Sequence, residues 1–237
     1  MQLFYSPEIT TETNSYTFNK TESKHIVRVL RKNNGDQLSI TNGFGDLFTA
    51  EVIVPSDKKC VVKIVSFKKK EKAWNYHLHI AIAPTKLNDR MEWFLEKATE
   101  IGIDEITPII CKHSERKVVK IERFEKIMLS GMKQSLKFHL PKINPAIPFK
   151  DFIKNGPSGN LFIAHCDEQD KKSFKQEIQA ETDITILIGP EGDFSTNEIE
   201  DAIQKNFTPV TLGESRLRTE TAALVACHSV AFINEKL

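Results

Sequence analysis

No stretch of this 237-residue chain approaches the roughly 18 continuous apolar residues of a membrane span. The first residues, Met1 to Glu8, carry neither a basic nor an apolar leader segment, so the expected location is the cytoplasm, with no membrane partner. Cysteine is scarce. Cys60, Cys111, Cys166 and Cys227 are spaced 51, 55 and 61 residues apart, without CxxC and without Cys/His pairs of zinc-site spacing, so neither a disulfide scaffold nor a metal is expected. Net charge is nearly absent: 33 Lys and Arg against 32 Asp and Glu give no global argument for a polyanionic partner. Signature motifs are missing too. There is no GxxxxGK(S/T), HExxH or GxSxG, and Gly43-Phe44-Gly45 lies in a turn and lacks the third glycine of a dinucleotide fingerprint. Kinases, common hydrolases and Rossmann dehydrogenases therefore lose most of their claim.

What is present is an ordinary globular balance, 40% hydrophobic and 27% charged, long enough for one large domain or two small ones. The charges are segregated. Residues 1–72 hold 12 basic and 8 acidic side chains, residues 112–142 hold 9 and 3, and residues 166–206 hold 4 and 11. A neutral total can thus conceal a basic face able to follow a phosphate backbone, or the runs can be solvated helix faces with no partner.

Hydrophobic periodicity divides the chain near residue 72. Before it, Gln37 to Thr41, Leu47 to Val54 and Cys60 to Val65 read as strands around an Asn42 to Asp46 turn, with one helix expected over Ser23 to Lys32, which suggests a small barrel. The lysine run from Phe67 to Lys72 lacks periodicity and reads as a linker. After it, strands at His77 to Ala83, Ile106 to Ile110, Leu161 to Ala164, Ile184 to Ile188 and Pro209 to Leu212 alternate with helices at Asp89 to Ile101, Ile121 to Leu136, Asp170 to Gln179, after Ser195, and Thr219 to Asn234. That alternation predicts a mostly parallel sheet covered on both faces. Ser195 and Glu198 form a capping box, with Phe194 and Ile199 as its hydrophobic staple.

In a parallel sheet, ligands sit beyond the carboxyl ends of the strands, so the loops there are candidates for chemistry. Gly189-Pro190-Glu191-Gly192-Asp193 offers two glycines for close backbone approach and positive φ, while the following helix start is spent on its own cap. That suits an uncharged or cationic ligand better than a pyrophosphate, though an ordinary tight turn would look the same. Gly213-Glu214-Ser215-Arg216-Leu217-Arg218 holds one arginine more than caps and ion pairs explain, and His165-Cys166-Asp167-Glu168 holds a lone histidine, more often structural than basic.

Taken jointly, several stretches resemble the SPOUT superfamily of RNA methyltransferases, specifically the methyltransferase E family that modifies N3 of a uridine in small-subunit (16S) ribosomal RNA. They are His25-Ile26-Val27-Arg28-Val29-Leu30-Arg31, Lys86 with Glu92-Trp93, Glu96 to Gly102, Ser114-Glu115-Arg116, Met132-Lys133-Gln134-Ser135, Ile188 to Gly192, and Leu212-Gly213 with Leu217 to Ala222. Asp193 stands where that family often has another glycine, and Lys137 where an arginine commonly follows the Gln-Ser pair.

The resemblance implies an α/β protein with a PUA-like RNA-binding β-barrel over 1–72 and a SPOUT methyltransferase domain over 73–237, whose C-terminal part forms a trefoil knot, assembled as a homodimer. It implies S-adenosylmethionine held by Ala164, His165, Ile188, Gly189, Pro190, Glu191, Gly192, Leu212, Gly213, Ser215, Leu217 and Arg218. The expected partner is small-subunit ribosomal RNA or the assembled small subunit, and the locally basic segments point to Arg28, Arg31, Arg116, Lys117 and Lys120 as its contacts, with Gln134 a candidate beside them. N3 of uridine is a weak acid, so methylating it means exposing the base, accepting its proton and stabilising charge on O2 and O4. Arg218 is the first candidate for that stabilisation, with Arg116 and Lys137 second. Glu220 is either a proton acceptor or half of a helix-end ion pair. Gln134 and Ser135 either bond the uracil edge or pack a helix. The alternatives are a SPOUT enzyme for another RNA position and a non-catalytic RNA-binding or assembly protein.

Overall fold

The computed structural model describes residues 2–167 and 170–235, so Glu168 of the histidine loop lies outside the described residues. The chain divides into two compact units, residues 1–72 with 132–140, and residues 73–131 with 141–237.

The first unit is a curled five-stranded sheet, a PUA-like half-barrel. It contains β1 (Leu3–Tyr5), β2 (Ser15–Thr17), α1 (Lys20–Lys24), β3 (Gln37–Thr41), β4 (Asp46–Val54) and β5 (Val61–Lys69), with strand order β1-β3-β4-β5-β2. Only the β1–β3 pair is parallel. The inward side chains of β3, β4 and β5 alternate with outward polar ones, and Leu38, Ile40, Phe48, Ala50, Val52 and Val62 meet Phe4, Phe18 and Ile26 in one core. The helix starts earlier than periodicity suggests, because Asn19 caps it by accepting from the Glu22 N–H at 3.0 Å. It continues as a π turn over His25–Val29, which carries Ile26 into the core. The expected linker is also shorter: Phe67 to Lys69 belong to β5, where Phe67 pairs across from Phe48.

In the second unit, β6 (Leu78–Ile82), α2 (Asn88–Ile101), β7 (Glu105–Ile110), α3 (Ile121–Gln134), β8 (Lys142–Ile143), β9 (Ile147–Pro148), α4 (Phe149–Lys154), β10 (Asn160–Ala164), β11 (Lys172–Ser173), α5 (Phe174–Glu177), β12 (Ile184–Ile188), α6 (Thr196–Gln204), β13 (Thr208–Thr211) and α7 (Thr219–Ile233) follow in order. The last turn of α3 is grouped with the first unit. The sheet runs β11-β13-β10-β12-β6-β7-β8 with β9 also on β7, and every pair is parallel. β6 and β12 are buried along their whole length, as central strands covered on both faces must be. One face packs Phe149, Phe152, Ile199 and Ala202 of α4 and α6, and the other carries α2 and α7. The helix expected over Asp170 to Gln179 shrinks to the four residues of α5 after the short strand β11.

Candidate functional site

Register fixes where chemistry can occur. Ala164 lies opposite Ile188, Ile188 opposite Ile82, and Ala164 also opposite Val210, so β6, β10, β12 and β13 end at one edge. Two cavities open there, of about 600 and 360 Å³. Ala164, Cys166, Asp193, Arg216, Leu217 and Ala222 line both, so they are two lobes of one cleft. The larger lobe adds His165 and the Val210 to Ser215 strand end and loop, and the smaller adds Ile188 to Glu191, Arg218 and Thr219.

The cleft therefore gathers eleven of the twelve residues expected to hold a cofactor; Gly192 is the exception, lining neither lobe and lying close against His113. The positive φ expected at Gly189 and Gly192 falls instead on Asp193, at 62°, and on Gly213, at 134°, where a side chain is disfavoured by backbone conformation although the space around it is open. Asp193 holds its conformation with its own carboxylate, which accepts from the Phe194 N–H at 2.8 Å. Its second oxygen accepts from the Cys166 N–H at 2.7 Å, tying the loop after β10 to the loop after β12.

The same loop is anchored to the rest of the edge. Glu191 accepts from the Lys86 N–H after β6 at 2.9 Å, and Glu198, the capping-box acid, accepts from the Lys112 N–H after β7 at 2.8 Å. His113 Nδ1 donates to the carbonyls of Gly192 and Asp193, both at 3.1 Å. Thr219 donates its hydroxyl to the Gly189 carbonyl at 3.0 Å, joining α7 to the same loop. Cys166, Asp167, Asp193, Glu214 and Arg216 fall in the candidate loops but were given no role there, whereas Lys171 of the larger lobe and His113, which braces the loop from outside the cleft, were missed altogether. Asp193 was visible only as a departure from the family pattern, and His113 carries no local signal because its partners are backbone carbonyls 79 and 80 residues away.

His165 is 6% exposed, and neither ring nitrogen has a partner among the described residues. Burial lowers its pKa, with the Lys171 ammonium adding to the shift, so the imidazole is neutral and offers one N–H and one lone pair. Arg218 precedes α7 in extended conformation, lines the smaller lobe, and its guanidinium bonds no described residue. Arg116 is used differently: it clamps the turn after β6 by donating to the carbonyls of Thr85 at 3.2 Å and Lys86 at 2.7 Å, beside the exposed Lys117. Exposed Lys120 accepts at its carbonyl from the first turn of α3. Glu220 lines neither lobe. It is buried 3.7 Å from Arg90, the ion-pair arrangement, with Oε2 unpartnered. Gln134 and Lys137 belong to the first unit, as do Arg28, ion-paired with Asp57, and Arg31, exposed at a φ of 55°. Among the described residues no cluster of His, Cys, Asp or Glu could hold a metal ion, and no helix is long and apolar enough to cross a membrane.

The lobes have the size of small-molecule sites, and the orphaned nitrogens of a neutral histidine, the acids Asp167, Glu191 and Glu214 and the cations Lys171 and Arg216 fit a bent ligand with a heteroaromatic ring, a cationic centre and an amino-acid end.

Residues 72–231 match the family model of an RNA methyltransferase domain, and residues 18–65 that of an RNA methyltransferase PUA domain. The chain is 33% identical, over 90% of its length and 86% of the other, to the ribosomal RNA small subunit methyltransferase E of Buchnera aphidicola. It superposes with a TM-score of 0.92 and 44% identity on a probable rRNA-methyltransferase from Porphyromonas gingivalis, covering 99% of this chain and 98% of that one. With the S-adenosyl methionine-bound ribosomal RNA small subunit methyltransferase E of Neisseria gonorrhoeae, the TM-score is 0.82 at 27% identity and 98% coverage of each chain.

Proposed function

This chain belongs to the ribosomal RNA small subunit methyltransferase E family, and we propose that it transfers the methyl group of S-adenosylmethionine to N3 of a uridine in small-subunit ribosomal RNA. The observation that carries this reading is the two-lobed cleft at the carboxyl edge of the sheet, with Arg218, unpartnered among the described residues, lining its smaller lobe. S-adenosylmethionine, when bound, supplies an electrophilic methyl group on a sulfonium. The protein does the rest. His165 and the backbone of Leu212 to Leu217 hold the cofactor in the larger lobe, and the ties through Asp193, Glu191 and His113 keep the loops in place before it arrives, so little ordering is left to be done on binding. The N3–methyl bond forms as the methyl–sulfur bond breaks, leaving S-adenosylhomocysteine, and the N3 proton passes to water; Arg218 donates to the uracil oxygens meanwhile, stabilising charge that is larger in the transition state than in the bound substrate.

We further propose that the protein works as a cytoplasmic homodimer and that the return of the chain from β13 to α7 forms the trefoil knot. The dimer is supported by α7, whose sequence is apolar on almost every side and which leaves Phe232 64% exposed and Ile233 partly so. Arg28, Arg31, Lys117 and Lys120 serve the RNA backbone. Calorimetric titration tests the cofactor assignment: micromolar binding of S-adenosylmethionine is expected in the wild type and its loss when Gly213→Val distorts the third loop, whereas equal affinity in the two proteins contradicts it.

A further inference from the structure

We propose that Phe44, at the tip of the β3–β4 hairpin, is a stacking platform for an unpaired RNA base. The proposal rests on the reading of the chain as an RNA methyltransferase and concerns a contact in the first unit, whereas the methyl-transfer cleft belongs to the second.

Between Ile40 and Gly45 every residue is buried except Phe44, which is 67% exposed. An exposed phenylalanine on a loose turn would mean little, but this turn is fixed from all sides. Asn42, itself buried, accepts the Phe44 N–H at 2.9 Å and donates to Asp46 at 2.8 Å. The Gly45 N–H donates to the Phe138 carbonyl, the Lys70 N–H to the Gly45 carbonyl and the Leu140 N–H to the Gly43 carbonyl. Gly43 and Gly45 sit at φ of 82° and 89°, and a Cβ on Gly45 would lie 2.6 Å from His139 Nε2. A crowded, preorganised backbone thus holds one large apolar ring out in water. The ring belongs to neither the core of the first unit nor that around α4 and α6, and its 67% exposure shows that packing among the described residues does not account for it.

The surroundings select the partner. Lys69 donates to the Phe44 carbonyl at 3.0 Å, Lys68 beside it is exposed, and the Lys70 ammonium lies 5.9 Å from the Phe138 ring centre. Asp46, the acid at the tip, is engaged by Lys69 at 3.1 Å and by Asn42. An exposed flat ring on a tip whose neighbouring segment, Lys68 to Lys70, is basic complements a base with its phosphates, because every base has a π-face and the nearby cations match the backbone. Duplex RNA offers no free face to such a ring.

The test uses the full chain and two fluorescein-labelled probes of about 12 nucleotides, oligouridylate and a blunt RNA duplex. Phe44→Ala is expected to weaken oligouridylate binding by about 5- to 100-fold, leaving the salt dependence unchanged because no phosphate contact is removed. Phe44→Tyr is expected to bind as the wild type does, Phe44→Leu to behave like Phe44→Ala, and duplex binding to stay constant throughout. Full affinity in Phe44→Ala overturns the proposal, and so does full affinity in Phe44→Leu, which would mean an apolar protein contact. An equal loss on the duplex, or no measurable oligouridylate binding by the wild type, also overturns it. Failure of the enzymatic reading shows separately, as absence of methyl transfer by the wild type, while calorimetry and melting temperature are expected to be equal in all four proteins.

Discussion

Asp193 shows what a single residue does here that its neighbours in sequence cannot reveal. A left-handed backbone normally calls for glycine, yet an aspartate occupies it and uses both carboxylate oxygens to bind N–H groups of two different loops. Asp193→Gly removes those bonds without adding backbone strain, so it isolates their contribution. Charge-assisted bonds of this kind predict that affinity for S-adenosylmethionine falls by about tenfold or more, read by calorimetry, with little change in melting temperature. An unchanged affinity means the loops are set without the tie. Arg218 poses the complementary question. Arg218→Ala should slow single-turnover methylation by roughly 10²–10³ while RNA and cofactor affinities change far less. A rate that instead follows the folded fraction would assign Arg218 to α7 alone. The place of Arg218 at the cleft was legible because it follows a glycine-ended strand at the carboxyl edge, although the surplus of one arginine did not separate it from Arg216; the partner of Glu220 was not legible, since Arg90 lies 130 residues earlier and reaches it only through the packing of α2 against α7.

Among elements, long periodic ones were readable and short ones were not. β6, β12, α2 and α7 follow from apolar runs and from 3.6-residue spacing, and the capping box at Ser195 forms as written, with the Ser195 N–H donating to Glu198 at 2.9 Å. β1, β2, β8, β9 and β11, each two or three residues long, carry too little pattern and exist because a neighbouring strand offers an edge. The lysine run misled for a related reason: outward lysines on an edge-facing part of β5 look like a linker when the pairing with β4 is unseen. The β6–β7 pair also stores a pH dependence. His79 is buried, with Phe152 edge-on at 5.4 Å, and Thr107 bonds its Nε2 at 2.7 Å. Asn144 donates to the same threonine oxygen at 2.7 Å, so the histidine belongs to a small buried network of neutral hydrogen-bonding groups. Burial pushes its pKa down to about 4 from 6.5, outweighing the opposing pull of Glu105. Between those values the unfolded chain binds more protons than the folded one, so this contribution is complete above pH 6.5 and is lost as the pH falls towards 4. Urea unfolding should show a loss on the order of 2–3 kcal/mol across that window, and His79→Gln should flatten it. A slope unaffected by the substitution would place the acid sensitivity elsewhere.

For the molecule as a whole, a formal charge of +1 hides a first segment, residues 1–72, whose basic side chains outnumber the acidic ones by 12 to 8. Arg31 is exposed and its guanidinium bonds no described residue, whereas Arg28 is already paired with Asp57. Arg31→Ala should therefore flatten the dependence of log K on log salt for RNA by about 0.7–0.9, and Arg28→Ala should change it less. Equal slopes in both variants and the wild type would remove the segment from Arg28 to Arg31 from the RNA interface. In sedimentation the 27.0 kDa chain should behave as a dimer, and Phe232→Asp as a monomer. The overall division into a curled sheet and a parallel one was readable from the change of period near residue 72, but the grouping of residues 132–140 with the first unit was not, because it depends on bonds such as Gly45 N–H to the Phe138 carbonyl, 93 residues apart in the chain. The central claim, methyl transfer to N3 of a uridine in small-subunit ribosomal RNA, is tested most directly by nucleoside mass spectrometry. Small subunits from cells lacking this modification would be incubated with S-adenosylmethionine and the purified protein, wild type or Arg218→Ala. The account predicts one 3-methyluridine per ribosomal RNA with the wild type and a far slower appearance of it with the variant. No new methylated nucleoside, or a methyl group on a different base or atom, would contradict it.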